Sequence, residues 1–175
     1  MASEHFGIIK FGGKLQTIVG KEIEIGQKAP DFTIQKNDWS ISKALKETRG
    51  KVRIIASIPS LDTPVCDRET RRFNLEAANL SKDIAIIVIS MDLPVAQKRW
   101  CGAAGVDQVL TYSDVTKSDF GKKYGTLMKE VRLLRRAVFV VSKEGFITYS
   151  DYMVTNGDEP KYDEILSAAR TAIEK

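Results

Sequence analysis

The chain has 175 residues, 43% of them apolar and 29% charged, which suits one folded domain and excludes a disordered or fibrous polypeptide. Its net charge of +4 comes from 27 basic and 23 acidic residues that alternate along the whole chain, so it reads as a solvated surface and not as a nucleic-acid face. No signal-peptide core stands at the start, and the longest apolar run, residues 84–89, is far short of a membrane span. A cytoplasmic protein is expected, in a reducing compartment where two cysteines are poor candidates for a permanent structural disulfide.

In chain order, residues 6–11 and 14–19 alternate in short β-like pieces around a Gly12-Gly13 turn signal. To about residue 25 this reads as a β-hairpin extension; Lys14 after the glycines lacks the spacing of a phosphate loop. Residues 32–35 read as a short strand and 40–48 as a short helix closed by Gly50. From Lys51 the pattern becomes α/β. A buried strand over 52–58 leads to a helix that contains Cys66 and runs to about Leu80, and a second strand covers 84–90. Pro94 opens a helix near 95–100, since proline suits a first helical turn, and Gly102 and Gly105 help to end it. A strand over 109–112 and a short helix over 118–124 follow, then strands over 137–141 and 146–149 around Lys143-Glu144-Gly145. The final helix, 162–173, carries Ile165, Leu166, Ala169 and Ile173 on one face. There is no repeat, low-complexity tract or linker. The order predicts an α/β protein of thioredoxin type, one domain over 1–175.

The first cysteine lies where a cysteine becomes reactive. Cys66 falls in the first turn of a helix that follows a core strand, and the unpaired N–H groups there carry roughly half a positive charge. That field favours a thiolate, the nucleophilic form. Spacing alone leaves a plainer reading open, in which Cys66 is a small buried hydrophobe and Cys101, beside Trp100, is core packing. Thr63 could cap the helix, Pro59 could be a turn residue, and Arg136 could pair with a surface carboxylate. Trp39 and Trp100 read as packing rather than ligand stacking. One histidine and two distant cysteines make a poor ligand set, so neither metal nor cofactor is expected. Arg135 and Arg136 are adjacent on a strand and cannot both face Cys66, and periodicity does not choose between them.

The residues Pro59…Thr63-Pro64-Val65-Cys66 resemble the Pro-x3-Thr-x2-Cys signature of peroxiredoxins. Asp62-Thr63-Pro64-Val65-Cys66-Asp67, Thr70-Arg71-Arg72-Phe73-Asn74 and the stretch from Asp92 to Gly102 are similar to the bacterial thiol peroxidase subfamily. The likeness covers nearly the whole chain, including the N-terminal hairpin and Arg136-Ala137-Val138. It implies a thioredoxin-like fold and a thiol-specific peroxidase acting on hydrogen peroxide and on organic hydroperoxides. Cys66 would be the peroxidatic cysteine, Thr63 would orient thiolate and peroxide, and Pro59 would shield the pocket. Arg136 would stabilise the thiolate and the developing oxyanion. Cys101 would resolve the sulfenic acid as an intramolecular disulfide, which thioredoxin would reduce. A homodimer is implied as well. Glu69 stands where the subfamily often has glutamine, which touches local hydrogen bonding and not the reacting groups.

Three further readings share the fold. A redox sensor would use the same Cys66 chemistry but pass oxidation to a partner protein. A general disulfide oxidoreductase is disfavoured because no Cys-x-x-Cys pair exists. A non-catalytic binding module would leave Thr63, Cys66 and Arg136 unexplained. Because Cys66 starts one helix and Cys101 ends the next, their Cα atoms are expected beyond the ~7 Å limit of a disulfide. Resolution would then require local opening near Gly102.

Overall fold

A computed structural model describes residues 2–174; Met1 and Lys175, which the expected domain of 1–175 includes, lie outside the described residues. The chain opens with a hairpin of β1 (Glu4–Phe11) and β2 (Lys14–Val19), followed by β3 (Thr33–Gln35), β4 (Ile41–Lys43) and the single turn α1 (Ala44–Glu47). An alternating unit comes next: β5 (Val52–Ser57), α2 (Pro64–Ala77), β6 (Ile84–Ser90), α3 (Pro94–Ala104) and β7 (Leu110–Ser113). The chain then forms α4 (Asp119–Lys123), β8 (Leu127–Met128), β9 (Leu133–Leu134), β10 (Ala137–Val141), β11 (Ile147–Tyr152) and α5 (Tyr162–Ile173).

The strands form two sheets. Seven lie in the order β11-β10-β5-β6-β7-β3-β4, and four in the order β1-β2-β8-β9. β5, β6 and β7 are parallel, as crossover helices require, whereas β10 runs antiparallel to β5 and β11. The central strands read as unbroken apolar runs because both faces of the sheet are covered. Ile55, Ile87 and Phe139 point to one face, where they meet Phe32, Phe120 and Tyr124. Ile54, Val88 and Val138 point to the other, against Phe73 of α2 and Ile165 and Leu166 of α5. This is the thioredoxin-like α/β plan, with the hairpin as its N-terminal extension.

The hairpin joins the body where backbones nearly touch. Gly20 has φ +97°, and a Cβ there would sit 1.9 Å from the Lys122 carbonyl oxygen. Only glycine fits such an approach.

Four expectations need correction. The helix predicted over 40–48 is half strand: Ile41–Lys43 pairs with β3, because the turn at Asp38–Trp39 sends the chain back along that strand. Trp39 is exposed in this turn with a left-handed φ of +68°, so it is not a packing residue. The strands β8 and β9, two residues each, were not foreseen. They are too short to show a period and exist because β2 offers its edge to Leu127 and Met128. Finally, Cys101 does not end its helix. α3 runs on through Gly102 to Ala104 and closes at Gly105, whose φ of +65° is the left-handed cap.

Candidate active site

The chain leaves β5, passes a buried Pro59, and enters α2 with Thr63 as its extended N-cap and Pro64 as its first helical residue. Proline fits there because its missing N–H is one that a helix start leaves unpaired. Cys66 follows in the first turn and has no exposed surface. The Thr63 hydroxyl does not cap the helix; it donates to the Ser60 carbonyl at 2.9 Å. The loop is held by Asp92, which accepts from Ser60 Oγ at 2.7 Å, the Leu61 N–H at 2.8 Å and Ser90 Oγ at 2.7 Å. One carboxylate just before α3 therefore ties down the loop before α2.

Arg136 comes from the start of β10. Ala137 faces the cluster that holds Phe139, so strand alternation turns Arg136 the other way, toward α2. Its Nη2 donates to Cys66 Sγ at 3.2 Å, and its Nη2 and Nε also donate to the Asn156 carbonyl at 3.0 and 3.3 Å. Arg135 takes the opposite course: its Nη1 meets Glu22 Oε1 at 2.6 Å, and its guanidinium lies 5.0 Å from the Tyr152 ring centre. The reading of Arg136 as the partner of a surface carboxylate is corrected: its ionic partner is buried. That partner is Glu69, one helical turn after Cys66, which meets Arg136 Nη1 through Oε2. Arg136 and Glu69 have side-chain exposures of 1% and 0%.

Glu69 is the residue that sequence reasoning underrated. The buried side of α2 is Cys66, Glu69, Thr70 and Phe73, the i, i+3, i+4, i+7 stripe of a packed helix face. An acid on that stripe must find a buried partner, and this spacing was the available signal. Burial raises the Glu69 carboxyl to about 7, with Arg136 opposing and Glu159 adding to the rise. Burial works against the charge of Arg136, but Glu69 and Cys66 more than offset it, so the guanidinium stays protonated.

Cys101 has different surroundings. It is half-buried on α3, and its Sγ lies 3.5 Å from Thr111 Oγ1 on β7. Burial pushes its thiol up from the usual range, partly opposed by the Thr111 hydroxyl. Trp100 beside it packs under the Arg71 guanidinium, 5.5 Å from the ring centre, and Arg71 Nη1 donates to the Ala104 carbonyl at 3.2 Å. Both cysteines are free. The partner of Cys66 belongs to β10 and that of Cys101 to β7, three strands apart in the sheet order. At ~4.8 Å per strand the anchors stand on the order of 14 Å apart. Among the described residues no three His, Cys, Asp or Glu side chains cluster as metal ligands, and no helix is long and apolar enough to cross a membrane.

A buried sulfur facing a guanidinium at a helix start is a centre for negative charge on sulfur. The chain as a whole is similar to known proteins of one family. A profile described as Redoxin matches residues 24–166. A solved structure described as a peroxiredoxin-like protein from Aquifex aeolicus superposes with a TM-score of 0.84 at 34% identity, over 96% of this chain and 99% of that one. Proteins named Thiol peroxidase are similar in sequence. That of Oceanobacillus iheyensis is 51% identical over 86% of this chain and 91% of its own length. That of Bacillus subtilis is 46% identical over 94% and 98%. The chain belongs to the redoxin family and, within it, to the thiol peroxidases.

Proposed function

We propose that this chain reduces hydroperoxides through Cys66, and the 3.2 Å contact between Arg136 Nη2 and Cys66 Sγ carries the reading. The thiolate attacks the terminal peroxide oxygen; the S–O bond forms, the O–O bond breaks, and the leaving oxygen takes up a proton as water or alcohol. Negative charge moves from sulfur to that oxygen, and a fixed guanidinium with the N–H groups of the α2 start lowers the barrier. A groove lined by Leu61, Asp62, Thr63, Pro64, Asp67 and Trp100 lies over the start of α2 that carries Cys66, and peroxide enters from that side once the loop opens. Thr63 orients the peroxide and Pro59 excludes water.

Cys101 then attacks the sulfenic sulfur, water leaves, and a disulfide forms within the chain. Because the two sulfurs are anchored to strands three apart, the last turns of α3 unwind first. Thioredoxin returns both cysteines to thiols, a cycle that fits a cytoplasmic protein. Exposed Leu93 and Val95, at 48% and 52%, flank the start of α3 beside the Asp92 strap and supply apolar surface for a second copy in a homodimer. Peroxide consumption with thioredoxin and its reductase tests the reading, with hydrogen peroxide and cumene hydroperoxide compared. No consumption of either overturns it. Sedimentation of the reduced protein tests the dimer.

A further inference from the structure

The buried site holds two acids and one cation. Cys66 and Glu69 sit one helical turn apart with side chains that share the Arg136 guanidinium, and none of the three is appreciably exposed. If both acids were ionised, the pocket would carry an uncompensated negative charge in low dielectric, which folded proteins avoid by retaining a proton. The second Glu69 oxygen, Oε1, is buried without a hydrogen-bond partner. An ionised carboxylate would leave an acceptor of high charge unpaired there, whereas a protonated one needs less. Among the described residues, Arg136 is the cation that acts on Glu69. Glu159, before α5, is an anion that adds to the negative field, and its nearest cation, Arg68, stands outside at 4.0 Å. Tyr162 on α5 is neutral, its hydroxyl raised by burial and by Glu69. Asn156 offers Arg136 only a carbonyl.

We propose that Glu69 and Cys66 hold a single proton between them, so that Glu69 acts as the proton donor that keeps the buried site electrically neutral through peroxide attack. Before attack, the proton rests on the Glu69 carboxyl while Cys66 is thiolate, and Arg136 balances that one anion. Attack turns the thiolate into a neutral sulfenic acid and expels alkoxide. The Glu69 O–H then breaks, its proton ends on the leaving oxygen to give alcohol, and the new carboxylate pairs with Arg136. The charge sum is zero in both states. A direction in the titration agrees: burial raises the Glu69 carboxyl. The peroxide step rests on the peroxidase reading, but the shared proton does not, and the two fail separately.

The test is the rate of Cys66 alkylation by iodoacetamide from mild acid to mild alkali, in a Cys101→Ser background, with and without Glu69→Gln. In acid, Glu69 is neutral and the two proteins should react alike. Through the neutral range the proton stays on Glu69 and Cys66 is thiolate, as it is beside glutamine, so the two proteins should still react within about twofold; a Gln variant at least about tenfold faster would mean that Glu69 ionises first and the proton rests on Cys66, and overturns the proposal. In alkali both thiolates are complete and the ratio should stay near one. A ratio constant with pH but far from one would mean that Glu69 only holds Arg136 in place, and overturns the proposal. The carboxyl carbon of Glu69 followed by NMR completes the test, and stands alone should the Gln variant not fold. Its titration should move to lower pH by about one unit in Cys66→Ala, by linkage, and an unmoved titration overturns the proposal. A protein that alkylates with this profile but consumes no peroxide keeps the shared proton and loses the peroxidase reading.

Discussion

The two cysteines lie on helices that pack on one face of the same sheet, yet their surroundings are opposed. Cys66 has a helix start, a guanidinium and a buried carboxyl within reach, and no exposed surface. Cys101 has one neutral hydroxyl, a half-open position and a helix that continues past it. A charged sulfur needs fixed donors, and fixed donors need burial, so the first site is rigid and dry. A sulfur that must travel needs few partners and a helix end that can fray, and Arg71 at the Ala104 carbonyl is one of the ties to be released. On the proposed reading, the difference separates the sulfur that attacks peroxide from the sulfur that arrives later.

The sharpest break in the comparison is Cys66→Ser. Turnover should fall to the uncatalysed level, because a serine hydroxyl stays protonated even beside Arg136; steady-state peroxide assay checks it. Next is Arg136→Ala, expected to slow Cys66 oxidation by ~10²–10³, while Arg135→Ala should change it by no more than a few-fold. Stopped-flow oxidation of the two variants measures this, and equal effects would remove the distinction between the two arginines.

The cost of the dry site should appear in stability. Glu69 rises from 4.5 to about 7 on folding. An acid whose folded value is raised holds its proton more tightly in the folded state, so its favourable contribution is full below pH ~4.5 and is lost as pH rises through ~7. Relative to Glu69→Gln, the wild type should lose about 3 kcal/mol over that range, as read by urea unfolding at several pH values. A flat difference would mean that Glu69 is ionised throughout.

The smallest effect is expected in the pH dependence of Cys101. Its thiol is raised, so thiolate is the minor form at neutral pH, and disulfide formation after sulfenic acid should quicken about tenfold per pH unit until the thiol ionises. Quenched samples resolved by mass spectrometry follow it. Cys101→Ser should consume one equivalent of peroxide and then stall.

How much of this was legible depended on whether a residue's role is decided nearby in the chain. Cys66 could be placed at a helix start because an apolar run, Pro64 and a helical stripe are all local. Gly12-Gly13 marked the hairpin for the same reason. β8 and β9 were invisible because two residues have no period, and the strand at Ile41 was mistaken for helix because its pairing with β3 depends on a turn that the propensities of 40–48 do not reveal.

The sequence by itself determined the α/β order, the family, and the place of Cys66 at a helix start, since each rests on local pattern or on motif. The resemblance pointed to Arg136, but the physical reason that this arginine and not its neighbour meets the sulfur lies in the tertiary structure. Arg135 and Arg136 are equivalent as letters, and only the covering of both sheet faces makes one guanidinium turn to α2 and the other to Glu22. Tertiary structure also decided the standing of Glu69, which is an ordinary helix acid in the chain and a buried partner of Arg136 in the fold. Whether an acid on a helix is solvated or shut in depends on what packs over it. Here that cover is the start of β10, 67 residues further along the chain.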